Sequence, residues 1–206
     1  MPLTTCDECG EKISSRAESC PHCGCPEIYA LASFRGPADT TTRIAMREAG
    51  FLTEADVLKV EELDLSEKEL TDISALTRFE NLKELDLHYN ELTDVGDLKE
   101  LRKLRSLELG INQISDVSAL GGLEQLTNLE LTANQISDVS ALGGLEQLEE
   151  LVLNDNKISD VSALGVLAQL SNLWLCDNQI TDVSPLKELK QLTDLNLSGN
   201  QITDVS

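Results

Sequence analysis

Residues 126–147 read L-T-N-L-E-L-T-A-N-Q-I-S-D-V-S-A-L-G-G-L-E-Q, and their apolar skeleton, L-x-x-L-x-L-x-x-N-x-I-x-D-V-x-x-L-x-x-L, returns every 22 residues. With I/L, V/I and L/F exchanging at three positions, the phrase starts at Val60, Leu82, Leu104, Leu126, Leu148, Leu170 and Leu192, which is six full units and a partial seventh. A unit this short cannot bury its own leucines, so neighbouring units must stack and share one continuous core. What is constant between units is explained by that stacking. Function has to be sought in what varies.

Each part of the phrase has a structural expectation. L-x-x-L-x-L supplies a short strand whose leucines point into the solenoid while the residues between them face the concave surface. An asparagine follows at Asn90, Asn112, Asn134, Asn156, Asn178 and Asn200, with Lys68 in that place in the first unit. A buried asparagine serves both donors and acceptors of a turning backbone, so one per rung is a structural requirement. An aspartate stands at Asp72, Asp94, Asp116, Asp138, Asp160, Asp182 and Asp204, each ahead of V/I-S/G-x-L. Its carboxylate is placed to cap a single helical turn on the convex side, and that role removes the appearance of a metal or catalytic array.

These residues carry a family resemblance. The spacing is the leucine-rich repeat signature, and L-x-x-L-x-L-x-x-N-x-I-x-D-V, followed by S-P-L in the sixth unit, resembles the internalin-type bacterial repeat. More distantly it is similar to the 22-residue repeats of a eukaryotic regulatory subunit of protein phosphatase. T-R-I-A-M-R-E-A-G-F-L-T-E-A-D-V resembles the helical N-cap found before such bacterial repeats, so the likeness covers residues 39–206. It implies an α/β solenoid, an arc with a parallel concave sheet and short helical or 3-10 convex turns, that binds protein ligands on its concave face without catalysis.

Ahead of the repeats, Cys6 and Cys9 form C-D-E-C-G and Cys20 and Cys23 form C-P-H-C-G. Two C-x-x-C pairs can complete a tetrahedral thiolate site for structural zinc, leaving Cys25 as a spare and His22 as a turn residue. So small a segment has too little core to fold without its metal. Disulfides are the competing use of these cysteines, and they need an oxidising compartment. The stretch also resembles the zinc-ribbon modules at the N-termini of many bacterial proteins. Residues 1–26 are thus expected to be a zinc knuckle and 27–38 a linker containing Gly36-Pro37. A helical N-cap is expected over 39–59 and leucine-rich repeats over 60–206. Asp39 and Thr53 are the expected helix caps. Ile44, Phe51, Leu52 and Val57 are the residues expected to bury against the first rung.

Thirty-seven acidic residues against sixteen basic ones give a formal charge of −21. Such a charge repels phosphate backbones, which disfavours nucleic acid and leaves a partner with a basic surface as the easier one. No stretch approaches a membrane span, and Met1 to Ser19 lacks the apolar core of a secretory signal, so a cytoplasmic location is expected. The uncapped C-terminal edge of the seventh unit offers a place for self-association.

The units differ most at the middle strand position, which runs Asp64, Asp86, Glu108, Glu130, Val152, Trp174, Asn196. Four carboxylates on consecutive rungs stand about 4.8 Å apart, where each pair repels by roughly 1 kcal/mol in water. Glu62, Glu84 and Glu150 add charge two residues earlier. Trp174 is the one tryptophan, and Tyr89 and Ile111 follow the last strand leucine by two positions. Aromatic residues on an open face are characteristic interaction anchors. The expected partner site is therefore Asp64, Glu84, Asp86, Tyr89, Glu108, Ile111, Glu130, Val152 and Trp174. His88 and Cys176 lie four rungs apart, about 19 Å, too far for a nucleophile and its base. No catalytic constellation remains, and the reading is a non-enzymatic scaffold. The alternatives are a structural module of a larger assembly stabilised by divalent cations on the carboxylate ladder, or a regulatory subunit of another enzyme.

Overall fold

The computed structural model describes the backbone of Leu3–Thr5 and Lys12–Ser14 and the whole of residues 57–203. The four proposed zinc ligands Cys6, Cys9, Cys20 and Cys23 lie outside the described residues. So do His22, Cys25, the linker, the caps Asp39 and Thr53, Ile44, Phe51, Leu52 and Asp204. Near the N-terminus, β1 (Leu3–Thr5) pairs antiparallel with β2 (Lys12–Ser14), Thr4 facing Ile13.

The repeats form seven three-residue strands in one parallel sheet, ordered as they occur along the chain. These are β3 (Glu62–Asp64), β4 (Glu84–Asp86), β5 (Ser106–Glu108), β6 (Asn128–Glu130), β7 (Glu150–Val152), β8 (Asn172–Trp174) and β9 (Asp194–Asn196). Leu63 pairs with Leu85, Leu85 with Leu107, and so on to Leu173 with Leu195, so every residue meets its counterpart one unit later. Between strands the chain returns through five-residue 3-10 turns at Ser74–Arg78, Gly96–Glu100, Ser118–Gly122, Ser140–Gly144, Ser162–Val166 and Ser184–Glu188. Parallel strands, 3-10 turns and an open, sequential order give the expected α/β solenoid.

One unbroken core runs from Val57 to Leu189, built from the strand leucines, the I/L and V/I positions and the leucines of the turns. Val57 is buried there, as expected of it. At the far end Leu195 is 41% exposed, because β9 has no further strand beside it among the described residues. Among the described residues no helix is long and apolar enough to cross a membrane.

The asparagine column performs the accounting expected of it. Asn134 Oδ1 accepts the Ile114 N–H at 2.9 Å, while its Nδ2 donates to the Leu109, Leu131 and Thr132 carbonyls at 3.0, 3.1 and 3.2 Å. One side chain thereby satisfies backbone groups of two rungs in a place water does not reach. The aspartates cap the convex turns, but from one residue earlier than the N-cap itself. Asp138 Oδ1 accepts the Ser140 N–H at 2.8 Å, with Val139 as the boundary residue, and the same bond recurs from Asp72 to Asp182. A 3-10 turn leaves its first N–H free, and that group, two residues on, is the one an Asx turn reaches.

Candidate functional site

Sheet register places Asp64, Asp86, Glu108, Glu130, Val152, Trp174 and Asn196 side by side down the centre of the concave face. Four adjacent carboxylates do sit together, but part of their presence is structural. Asp64 Oδ1 accepts the Ser66 N–H at 2.9 Å and the Ser66 hydroxyl at 2.7 Å. Asp86 Oδ1 accepts the His88 N–H and Glu130 Oε1 the Thr132 N–H, both at 2.8 Å. Three of the four, Asp64, Asp86 and Glu130, thus offset part of the repulsion between them by serving the backbone N–H two residues on, which points out of the ladder. Those bonds hold the Asp64 carboxyl below its ordinary range, the Ser66 hydroxyl contributing most.

Glu108 is different. Among the described residues it makes no such bond, and its carboxyl is pushed above its ordinary range by burial first and then by Asp86 and Glu130 on either side. With Glu62, Asp64, Glu84, Asp86 and Ser106 it lines an open cleft of about 340 Å³ floored by Leu63 and Leu85. Glu150 lies farther along, where its Oε2 accepts a hydrogen bond from Asn128 at 3.0 Å. The cation-ladder alternative finds no geometry here. Among the described residues no three ligating side chains converge on a point, and Asp64, Asp86 and Glu130 are turned onto backbone N–H groups.

Val152 lies on the same face but is buried, at 8% exposed, between the larger side chains of Glu130 and Trp174 in the register. It is corrected from an open contact to part of the floor. Trp174 is 37% exposed, so an aromatic edge does reach solvent.

Three residues beyond this central column runs a second one at the edge of the sheet: Glu67, Tyr89, Ile111, Ala133, Asp155, Asp177 and Gly199. Backbone bonds tie its members rung to rung, Tyr89 N–H to the Gly110 carbonyl and Ile111 N–H to that of Thr132. All seven have positive φ, from 52° at Ile111 to 73° at Gly199. The left-handed region suits Gly and tolerates Asp, but for other residues costs about 1 kcal/mol or more, and most for a β-branched side chain. Asp155, Asp177 and Gly199 obey that preference. Glu67, Tyr89, Ile111 and Ala133 break it, and the two large apolar ones, Tyr89 and Ile111, do so while standing 57% and 40% exposed, so burial does not compensate them. Sequence reading found these two by their apolarity. It missed Asp155 and Asp177, which become visible only when the edge position is aligned at the 22-residue period.

Gly110 has its own reason. A Cβ there would overlap Glu130 Oε2 and stand 3.0 Å from His88 Nδ1, so the carboxylate of one rung and the imidazole two rungs away approach across a notch. Glu130 Oε2 is buried in it without a hydrogen-bond partner among the described residues. His88 stacks at a tilt beside Tyr89, ring centroids 6.1 Å apart, while the Cys176 sulfur accepts from the Ser198 hydroxyl at 3.3 Å on the far rungs.

The comparisons with known proteins concern the repeat fold that carries this face. The family described as leucine-rich repeats (2 copies) matches residues 59–100, 80–122, 102–144, 124–167 and 168–206. No curated protein sequence matches the chain. Among solved structures it is similar to internalin C2 of Listeria monocytogenes, at 31% identity and a TM-score of 0.67, over 82% of this chain and 87% of that one. It is similar to an internalin, inlF, of the same organism at 30% identity and a TM-score of 0.61, covering 75% of this chain and 52% of the other. A leucine-rich repeat protein of Leptospira interrogans shares 30% identity at a TM-score of 0.67, over 71% of this chain and 39% of that one. Repeat phrase, parallel sheet, asparagine column and these likenesses converge, and the chain belongs to the leucine-rich repeat family, with repeats of the internalin type.

Proposed function

We propose that the protein is a non-enzymatic, cytoplasmic interaction scaffold whose concave face takes a protein segment of basic surface. The observation that carries this reading is the Glu108 carboxylate. It is held among like charges without the backbone bond that accounts for its neighbours, so a cation brought by a partner relieves a cost that the fold alone leaves standing. Trp174, exposed three rungs on, supplies an aromatic anchor of the kind that dominates interface energies. Leucine-rich repeat proteins generally work as interaction scaffolds, which supports the class of function. The test is retention of a captured partner by the wild type, Glu108→Lys and Trp174→Ala. Each substitution is expected to weaken binding about tenfold or more, and a partner held equally by all three excludes this face.

The C-x-x-C pairs at Cys6, Cys9, Cys20 and Cys23 support one structural zinc per chain, which would fold the knuckle and supply no catalysis because protein fills all four positions. Elemental analysis of the purified chain is expected to find zinc at one equivalent, lost in the Cys6→Ser, Cys20→Ser double variant. Absence of zinc from the reduced wild type refutes it.

A further inference from the structure

The central and edge columns are out of phase. On the second, third and fourth rungs the centre is acidic (Asp86, Glu108, Glu130) while the edge is apolar (Tyr89, Ile111, Ala133). On the fifth and sixth the centre turns apolar (Val152, Trp174) and the edge acidic (Asp155, Asp177). The apolar surface is thus one track that crosses the sheet from edge to centre. Carboxylates border it on one side at its start and on the other side at its end. Two of its members, Tyr89 and Ile111, are held there in the left-handed conformation that Asp155 and Asp177 occupy at less cost.

We infer that this track seats a basic amphipathic α-helix, an inference that rests on the concave-face reading above and specifies its partner. Charge complementarity selects a cationic occupant, and the layout selects its secondary structure. A β-strand shows alternate residues on two opposite faces, whereas a helix shows one apolar stripe with polar residues along both flanks, which is the complement of this surface. The track spans four rungs of about 4.8 Å and a lateral step of three residues, roughly 20 Å in all. At 1.5 Å per residue that is the length of about 13 helical residues. Trp174 and Ile111 meet the stripe, while Glu108 and Asp155 meet lysine or arginine on opposite flanks.

The test uses two amidated 14-residue peptides of identical leucine and lysine content, one with leucines at helical spacing and one in strict alternation. Trp174, the single tryptophan of the chain, reports binding by its fluorescence. The helical-period peptide is expected to bind about tenfold more tightly than the alternating one, and Ile111→Asp and Asp155→Lys to weaken it about fivefold each without lowering the melting temperature, which Ile111→Asp is expected to raise because Asp suits the left-handed position better. Ile111→Asp is the demanding variant, because it adds attraction for a cationic peptide and still has to lose affinity. Equal or reversed preference between the peptides overturns the inference, as does indifference to both substitutions or no fluorescence response to either peptide at millimolar concentration. In the first two cases Glu108→Lys separates the levels. If it still weakens both peptides, the acidic face stands and only the helix is lost, and if it does not, the concave-face reading falls too.

Discussion

The asparagine column and the edge column share one backbone, repeated at every rung, yet only the first fixes its residue. Asn90 through Asn178 are each buried and each spans two rungs with the same bonds, so an apolar side chain there would strand a buried N–H and take a donor from two carbonyls shared with the neighbouring asparagines. The edge column is equally regular in φ and holds Glu, Tyr, Ile, Ala, Asp, Asp and Gly. A repeating backbone, then, dictates a side chain only where neighbouring rungs close around it. At the edge it states a preference, for Gly or Asp, that the chain is free to override. The override at Tyr89 and Ile111 is informative because it runs against the local energy.

The sharpest way to break this contrast is to remove one asparagine. Asn134→Ala strands the buried Ile114 N–H and takes one of two donors from the Leu109 and Leu131 carbonyls, which keep Asn112 and Asn156, and about 2–3 kcal/mol of unfolding free energy is expected to go with these bonds. Urea denaturation measures it. A loss below about 1 kcal/mol would mean that water enters the column and that the residue is less constrained than its repetition suggests.

A pair of glycines probes the same distinction at smaller scale. A Cβ on Gly121 would stand 2.7 Å from the Ala141 carbonyl oxygen of the next convex turn, and backbone cannot step aside. Gly121→Ala is expected to cost about 1–3 kcal/mol through overpacking. At Gly110 the obstacles are the ends of two side chains, Glu130 and His88, which can turn aside where backbone cannot, so Gly110→Ala is expected to cost below about 1 kcal/mol. Thermal melts of the two variants rank them. Equal costs would show that Glu130 is fixed as firmly as the convex backbone.

Much of this was readable from residues alone, for a physical reason. Leucine, asparagine and aspartate at a fixed period leave one solution for stacking, and so strand positions, ladder and convex caps all follow. The concave acids were harder. Asp64, Asp86 and Glu130 look unexplained in sequence because their acceptor role depends on an N–H that leaves the ladder, a matter of backbone direction. Val152 looked open because its burial comes from the neighbouring rungs, which no single unit encodes. The positive φ shared by Tyr89 and Ile111 was likewise hidden, since only Gly199 announces it by residue type.

The smallest expected effect separates Glu108 from the convex caps by the sign of its pH dependence. Asp116, Asp138 and Asp160 lie below their ordinary value of 3.8 through the bonds from Ser118, Ser140 and Ser162, so their contribution is present above that pH and is lost as pH falls through the lowered values. Glu108 lies above its ordinary 4.5, chiefly by burial, so the fold favours its neutral form and loses stability as pH rises through the raised value. Glu108→Gln removes that loss. The variant is expected to be more stable than wild type at pH 7 by less than about 1 kcal/mol, because the group is largely open to solvent, and indistinguishable from it below about pH 4. Melting the two proteins side by side at both pH values reads the difference. A variant less stable than wild type at pH 7 would place Glu108 with Asp64 and Asp86, among the acids that the fold uses, and would take from the concave face the charge that most clearly asks for a partner.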